Sequence, residues 1–263
     1  MKTLLQYNTS AKSQYLIYLA IFMFTIYSPA SASAHPYLAY GKAVTGMITH
    51  PSEKKCYYFK GDKNDLITIN MSRPSGDLWP EIELYGPANE LLCGNNGPRE
   101  ARIDSFRLIK SGRYKIIVMD GYDGKSYGEF GLVVQNLSNP CNIKPMSYGT
   151  SLVDTISFAG AICSFSFYGH KNDLISIQTS GISGDLWQQL ELYSSEGKLS
   201  ETKLGQASAK ISSQELPVTG NYSILVLDGY DGTLTGSFNI TLKLIQAGTG
   251  NNNSLSEKKP VVF

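Results

Sequence analysis

Aspartates in turn-rich stretches of this sequence have the chemistry of calcium ligands. They form two matched sets, 108 positions apart: Asp77, Asp120 and Asp123, then Asp185, Asp228 and Asp231. Calcium prefers hard oxygen ligands such as carboxylates and backbone carbonyls, so calcium is the candidate cofactor. Neither set has the spacing of an EF-hand. The alternative is that these aspartates cap turns.

Tryptophan and tyrosine side chains form a second candidate site, suited to binding. They also repeat: Trp79, Tyr85 and Tyr122 match Trp187, Tyr193 and Tyr230. Exposed aromatic rings offer a protein chain or a sugar ring a large contact area at low entropic cost. We predict that these six residues contact a ligand. The alternative is that the two tryptophans fill the ends of the folded units.

Catalytic residues are not indicated by the sequence. The histidines are His35, His50 and His170, and none recurs at the matching position of the other copy. No Gly-x-Ser-x-Gly nucleophile elbow occurs either. We therefore expect a protein that is not an enzyme. A hydrolase that uses a pair of carboxylates is the alternative from another class.

Four cysteines, Cys56, Cys93, Cys141 and Cys163, indicate disulfides. No Cys-x-x-Cys spacing occurs and histidines are few, so a zinc site is poorly supported. In an oxidising compartment two disulfides are the default. Of the three pairings we favour Cys56–Cys93 and Cys141–Cys163, because each closes within one half of the chain. Free thiols are the alternative.

The N-terminal residues have the pattern of a secretory signal peptide. An apolar run covers residues 15–27, and Ala32, Ser33 and Ala34 offer the small-x-small pattern of a cleavage site. The run is short for a membrane span, which needs about 20 residues. We predict cleavage after residue 34, no remaining membrane span, and a location that is secreted, periplasmic or at the cell surface. An uncleaved anchor is the alternative.

The overall composition is globular and gives no sign of nucleic-acid binding. The 263 residues are 42% hydrophobic and 17% charged, which is enough apolar material for a core. The formal net charge is +1, so no general basic field attracts nucleic acid. We expect no nucleic-acid partner.

The elements that position these side chains belong to a duplicated unit. Residues 40–138 align with residues 148–246 without a gap, and the loop DGYDG at 120–124 returns at 228–232. A repeat of this length indicates a duplicated domain rather than a solenoid of short units. The predicted organisation is a signal peptide at 1–34, domains at 35–138 and 148–246, a linker at 139–147, and a disordered tail at 247–263.

Each copy has the pattern of β-structure. Apolar and polar residues alternate in short runs, such as Ile82 and Leu84 with Glu81 and Glu83, which marks strands with one buried face. Residues 114–119 and their repeat are more apolar throughout, as expected of central strands. No stretch carries a convincing helical stripe. The predicted fold class is all-β, with two tandem β-sandwiches of jelly-roll-like type.

The DGYDG loops lie between two predicted strands in each copy. Asp-Gly pairs are favoured where the chain needs positive φ, so two such pairs predict a compact hairpin. This turn-forming preference explains why aspartate occurs in these loops without requiring a bound ligand.

An ordered series of short motifs occurs in both copies. In the first copy it runs from Tyr40 and Gly41 through an aromatic strand at 57–59 and the acidic-Leu-Tyr motif at 83–85 to the segment at 112–130, which holds DGYDG. This series resembles the bacterial pre-peptidase C-terminal domain, a β-sandwich attached to many secreted peptidases. The chain departs from the family pattern by having Glu83 and Glu191 where aspartate is common, and no peptidase domain accompanies the copies.

The family resemblance implies a secreted, non-catalytic module. Some relatives in that family bind extracellular protein such as collagen, and some hold calcium. We therefore expect a protein that binds extracellular protein or polysaccharide, with two weak sites that combine into avidity. A structural role, as an assembly subunit or spacer of a surface complex, is the alternative. Exposure of Trp79, Tyr85 and Tyr122 would favour binding, and burial of all three would favour the spacer.

Overall fold

The computed structural model describes residues 36–138, 143–205 and 207–248, without the side chains of residues 201–204. The described residues belong to one compact unit. The predicted signal peptide, part of the predicted linker and most of the predicted tail lie outside the described residues. Within those described ranges, no helix is long and apolar enough to cross a membrane.

Eight antiparallel strands form the first half. They are β1 (Val44–Ile48), β2 (Lys55–Gly61), β3 (Leu66–Ser72), β4 (Pro80–Tyr85), β5 (Leu91–Asn96), β6 (Glu100–Arg107), β7 (Gly112–Asp120) and β8 (Gly128–Asn136). The strands pair as two sheets, with the orders β1-β8-β3-β6 and β2-β7-β4-β5. This is the order of a jelly roll.

The second half repeats this arrangement and adds one short strand. Its strands are β9 (Lys144–Pro145), β10 (Ser151–Ile156), β11 (Cys163–Gly169), β12 (Leu174–Gly184), β13 (Gln188–Ser194), β14 (Gly197–Gly205), β15 (Ser208–Glu215), β16 (Gly220–Asp228) and β17 (Gly236–Gln246). The sheets have the orders β10-β17-β12-β15 and β14-β13-β16-β11-β9. The extra strand β9 pairs in parallel with β11 at the sheet edge.

Each pair of sheets encloses its own apolar core. Phe59 stacks on Tyr114 with ring centroids 5.3 Å apart, and their counterparts Phe167 and Tyr222 stack at 5.2 Å. Alternating side chains fill these interiors because successive residues of a strand point to opposite faces. The predicted all-β, jelly-roll-like sandwich fold is confirmed. The division into separate domains stays a prediction.

A third apolar cluster lies between the two halves. Its members are Leu66, Val133 and Leu137 from the first half and Ile162, Tyr193, Leu225 and Leu227 from the second. Strand β3 is consequently buried at all seven positions, because one face meets the core and the other meets the second half. The corresponding strand β12 has exposed positions.

The DGYDG loops cross between sheets, so the hairpin prediction is wrong. Strand β7 pairs with β2 and β4, whereas β8 pairs with β1 and β3. Positive φ occurs at Gly124 (71°) and Gly232 (75°), the second glycine of each loop. The local preference of Asp-Gly pairs is therefore met. That preference does not specify which strand pairs with which.

The predicted Cys56–Cys93 disulfide is wrong. Cys56 lies on β2 and Cys93 on β5, the opposite edges of a four-stranded sheet. Three strand spacings separate these edges, about 14 Å, and disulfide-bonded Cα atoms lie within about 7 Å of each other. Cys56 and Cys93 are free thiols. The Cys141–Cys163 pairing stays a prediction, because Cys141 lies outside the described residues.

Candidate binding site at the loop ends of the sandwiches

Trp79 and Tyr122 form an aromatic pair at one end of the first sandwich. Trp79 directly precedes β4, and Tyr122 lies in the DGYDG loop that follows β7, the neighbour of β4. Their ring centroids are 5.6 Å apart. Tyr122 is 75% exposed and Trp79 is half-buried. The pair therefore presents one anchored ring and one accessible ring.

Hydrogen bonds hold this pair in place. Asp120 accepts bonds from the backbone N–H of Trp79 at 3.0 Å and of Ser126 at 3.2 Å. The Gly121 N–H donates to the Trp79 carbonyl at 2.8 Å. The Trp79 indole Nε1 donates to Oδ1 of Asn96, at the end of β5, at 3.3 Å. Asp120 thus ties the loop to the start of β4, and Asn96 orients the indole.

Trp187 and Tyr230 form the equivalent pair in the second half. Their ring centroids are 5.3 Å apart, and Tyr230 is 64% exposed. Asp228, the counterpart of Asp120, is buried and accepts bonds from the backbone N–H of Tyr230 at 3.3 Å and of Leu234 at 3.0 Å. The structure therefore brings together the predicted tryptophan and loop tyrosine in both copies.

Tyr85 and Tyr193 lie apart from these pairs. Tyr85 ends β4, six residues beyond Trp79, a distance of about 20 Å along an extended strand. Its hydroxyl donates to Glu83 at 2.8 Å, and Lys115 Nζ lies 4.2 Å from its ring centroid. Tyr193 makes the same bond to Glu191 but is fully buried. The ligand-binding prediction for Tyr193 is wrong, because docking of the two halves covers it.

Neither of the two predicted sets of calcium ligands forms a metal-binding group. No group of three or more histidine, cysteine, aspartate or glutamate side chains that could hold a metal occurs in the described part of the chain. Asp77 and Asp185 are exposed, while Asp120 and Asp228 have their oxygens engaged by backbone N–H groups. The residues present therefore fit turn capping and do not fit a shared calcium ion.

Asp123 and Asp231 also serve their own loops. The Lys125 N–H donates to Asp123 at 2.9 Å, and this bond, opposed by slight desolvation and helped by the Lys125 ammonium, holds the pKa of Asp123 below its ordinary value. Asp231 accepts a bond from the Thr233 N–H at 3.0 Å and pairs with Arg99 of the first half at 2.7 Å. The second DGYDG loop is thus part of the contact between the halves.

A charged network between the halves was missed by sequence reasoning. Arg102 and Asp104 on β6 face Glu191, Tyr193 and Lys198 of the second half. Arg102 pairs with Glu191, while Lys198 Nζ lies 2.7 Å from Asp104 and 3.3 Å from Glu191. The Tyr193 hydroxyl oxygen also lies 2.9 Å from Asp104, so its single proton is shared between the Asp104 and Glu191 carboxylates. Every member contacts at least one member from the other half.

Burial and pairing act in opposite directions on this network. Burial alone would raise the pKa of Glu191, but Arg102 and Lys198 more than offset it and hold that pKa below its ordinary value. The same balance, with Arg102 and Lys198 again as the cations, lowers the pKa of Asp104. Burial, reinforced by Glu191, raises the pKa of Tyr193. At neutral pH the two carboxylates are therefore charged and the phenol is protonated.

The signal that could have indicated this network is a difference between the copies. The acidic-Leu-Tyr motif is identical in both, but Arg102 has Lys210 as its counterpart and Lys198 has Glu90. The set of an arginine, an aspartate and a lysine is therefore available to only one of the two acidic-Leu-Tyr motifs. The sequence does not say which faces touch, so this difference alone was not interpretable.

A polar groove of about 290 Å³ opens beside the network, between the halves. Its lining includes Asn95, Asn96 and Glu100 from the first half and Gln189, Asp228 and Gly229 from the second. An adjoining hollow of about 370 Å³ shares Glu100 and is lined also by Pro98, Arg99, Tyr230 and Asp231. The groove therefore exists only because the two halves dock.

Comparison with known proteins gives only weak structural similarity. No family profile matches the chain, and no curated protein matches it. The pre-peptidase C-terminal domain of a Bacillus anthracis collagenase aligns with 40% of this chain and 99% of its own length, at 13% identity and TM-score 0.33. A protein from Eubacterium rectale assigned as secreted aligns with 81% of this chain and 80% of its own, at 13% identity and TM-score 0.30.

A third solved structure contains several domains. It is a Clostridium perfringens protein with an M60 catalytic domain and two CBM51 domains, and it aligns with 78% of this chain and 34% of its own length. The identity is 8% and the TM-score 0.24. All three TM-scores are below 0.5, so the β-sandwich assignment rests on the strand order and cores described above.

Proposed function

We propose that this chain is an extracellular, non-catalytic module that binds a protein or polysaccharide through the Trp79–Tyr122 and Trp187–Tyr230 pairs. The observation that carries the proposal is the recurrence of the pair: both copies set an exposed loop tyrosine against a half-buried tryptophan at the same place in the fold. A structural role alone requires neither exposed ring.

The chemistry of each pair suits contact with a polymer. Tyrosine and tryptophan bring large, rigid and amphipathic area at a low cost in side-chain entropy. The backbone of each tryptophan is also bonded to its loop: the Gly121 and Gly229 N–H groups donate to the Trp79 and Trp187 carbonyls, both at 2.8 Å. The pairs are therefore pre-organised, which lowers the cost of binding.

Two pairs in one compact unit favour avidity. One polymer chain that reaches both pairs makes the second contact intramolecular, so two weak sites act as one stronger site. The order of motifs that resembles pre-peptidase C-terminal domains, and the signal-like residues 1–34, support a secreted or cell-surface location for this activity.

Exposed tyrosines allow a test with little risk to folding. Tyr122→Ala and Tyr230→Ala should each weaken binding about tenfold, and the double variant more, because each removes one accessible ring of the kind that dominates interfaces. Binding would be measured against immobilised gelatin and by gel retardation in hydroxyethyl cellulose, galactomannan and arabinoxylan. Tyr168→Ala is the matched control, since Tyr168 is 57% exposed and lies outside both pairs.

The control and the double variant decide the outcome. Binding by the double variant that equals wild type would refute the role of the pairs. Absence of binding to every probe would favour the spacer role. A loss in Tyr168→Ala as large as in Tyr122→Ala would point to a different surface.

A further inference from the structure

The groove between the halves connects the two aromatic pairs. Asn96 lines the groove and also accepts the bond from the Trp79 indole, which places the first pair at one end. Glu100 lines the groove and the adjoining hollow, whose wall includes Tyr230 of the second pair. A ligand that spans both pairs therefore passes along the groove.

The side chains of the groove are suited to hydroxyl groups. Asn95, Asn96 and Gln189 carry amides, which both donate and accept hydrogen bonds, and Glu100 carries a carboxylate, which accepts them. Within the protein, the Asn95 amide already donates to a backbone carbonyl at 2.7 Å and the Gln189 amide to Glu191 at 2.8 Å. The Asn96 oxygen faces Trp79, so its amide NH₂ is the donor on the other side of the group. A chain of pyranose units has apolar ring faces and polar edges. The aromatic pairs at the ends of the groove suit the ring faces, and the amides and the carboxylate between them suit the hydroxyl groups.

The charges of the groove disfavour an anionic ligand. Its two cations, Arg102 and Lys198, are already paired with Glu191 and Asp104. Burial raises the pKa of Glu100, and the nearby Asp228 and Glu191 raise it further against the opposing effect of Arg102. Four carboxylates line the groove against Arg102 and Lys198, so its net charge is negative and would repel carboxylated or sulfated polymers.

The groove is held in a defined shape by contacts across it. Arg99 pairs with Asp231 at 2.7 Å on the side of the hollow, and the Arg102–Glu191 pair closes the other side. Elsewhere between the halves, the Ser223 hydroxyl donates to the Leu137 carbonyl at 2.9 Å. A site fixed before binding loses less entropy when it takes up a ligand.

We infer that this groove is the binding site for a neutral polysaccharide, which runs from the Trp79–Tyr122 pair to the Trp187–Tyr230 pair. This inference rests on the proposed function and names its ligand class. The groove volume of about 290 Å³, with a further 370 Å³ beside it, is of the size usual for ligand sites.

A matched pair of polymers tests the charge preference. Hydroxyethyl cellulose and carboxymethyl cellulose share a backbone and differ in charge, so gel retardation in the two compares neutral with anionic ligands directly. Galactomannan and arabinoxylan extend the neutral set. We expect wild-type protein to be retarded by at least one neutral polymer, with an affinity at least tenfold above that for carboxymethyl cellulose.

Variants inside the groove test the site itself. Gln189→Ala should weaken binding of the neutral polymer at least threefold, because it removes hydrogen-bonding groups from the groove and leaves the aromatic pairs intact. Glu100→Gln keeps the size of the side chain and a hydrogen-bond acceptor but removes the charge. It should therefore reduce the preference for a neutral polymer over carboxymethyl cellulose from tenfold to about threefold. Gln178→Ala, an exposed glutamine on β12 away from the groove, is the control and should bind as wild type does.

The outcomes separate this inference from the proposed function. If Tyr122→Ala and Tyr230→Ala lose binding while Gln189→Ala and Glu100→Gln behave as wild type, the groove inference is overturned and the proposed function survives. Retention by gelatin alone, or stronger binding to carboxymethyl cellulose, overturns the neutral polysaccharide as ligand. Circular dichroism of each variant confirms that a loss is not a loss of folding.

Discussion

At the residue scale, the aspartates that recur in both copies show how one side-chain type supports different chemistries. A pair of loop carboxylates is compatible with calcium when only the sequence is known. In the structure, Asp228 is buried and its two oxygens accept bonds from the loop backbone, including Tyr230 and Leu234. Asp185, which directly follows β12, is exposed. Asp228 should therefore contribute more to the free energy of unfolding than Asp185 does.

We expect Asp228→Ala to destabilise the protein by about 1–3 kcal/mol, because part-buried backbone N–H groups lose their acceptor. Urea unfolding would measure the free energy of unfolding. Asp185→Ala is the control and should change it by less than about 0.5 kcal/mol, as is usual for surface sites. Equal effects of the two variants would contradict the capping role.

At the scale of elements, strand β8 has a position, Gly131, where docking of the halves restricts the residue type although the sandwich fold itself does not. A Cβ on Gly131 would lie 2.2 Å from the carbonyl oxygen of Ala159, in the segment that joins β10 to β11. The equivalent strand β17 carries Asn239 at this place. The strand therefore accepts a side chain, and the close approach of the other half is what requires glycine.

Gly131→Ala should destabilise the protein by about 1–3 kcal/mol, the usual cost of forcing extra atoms into a packed contact. Asn239→Ala, the matched change on β17, should be nearly neutral. Thermal unfolding of both variants would measure the effect. An unchanged unfolding temperature in Gly131→Ala would mean that the two halves separate readily where Gly131 contacts Ala159.

At the scale of the whole molecule, the two halves are coupled through a buried network and an apolar cluster. Arg102 contacts Glu191 across the boundary, and Tyr193 is fully buried there. Removal of one partner from a buried ion pair leaves the other without compensation, which typically costs about 3–5 kcal/mol. This cost falls on the docking of the halves, because each core is separate.

Acid should weaken the docking before it weakens either core. The pKa values of Glu191 and Asp104 are lowered from ordinary values of 4.5 and 3.8. A lowered folded-state pKa means that the stabilisation is complete above those ordinary values and is lost as pH falls through the lower folded-state values. We expect one thermal transition at pH 7 and two, or one at a much lower midpoint, near pH 3.

Arg102→Met provides the test of that coupling at neutral pH. It should separate the transitions or lower the midpoint at pH 7, and it should reduce the further change between pH 7 and pH 3. Calorimetry would record both. Arg113→Met, which removes an exposed arginine stacked 4.8 Å from the Tyr58 ring, is the control. An unchanged pH profile in Arg102→Met would show that the network does not hold the halves together.

The amino-acid sequence by itself determined the repeat, the strands and the residues of each core. Periodicity of two is a local property, so Ile82 and Leu84 could be assigned to the interior without any tertiary information. Because the sequence is duplicated, the same positions could be assigned to the interior of the second half. The tryptophan and loop tyrosine of each candidate site followed from the same repeat.

Only the tertiary structure decided which strands are neighbours and which outer faces meet. Cys56 and Cys93 lie on opposite edges of one sheet, and DGYDG joins two sheets, because strand order depends on contacts far apart in sequence. Tyr85 and Tyr193 have the same local motif, yet one is half-buried and the other fully buried. Their difference arises because docking packs Tyr193 against residues of the first half that are distant in sequence, such as Leu66 and Val133 in the apolar cluster and Arg102, 91 positions before it.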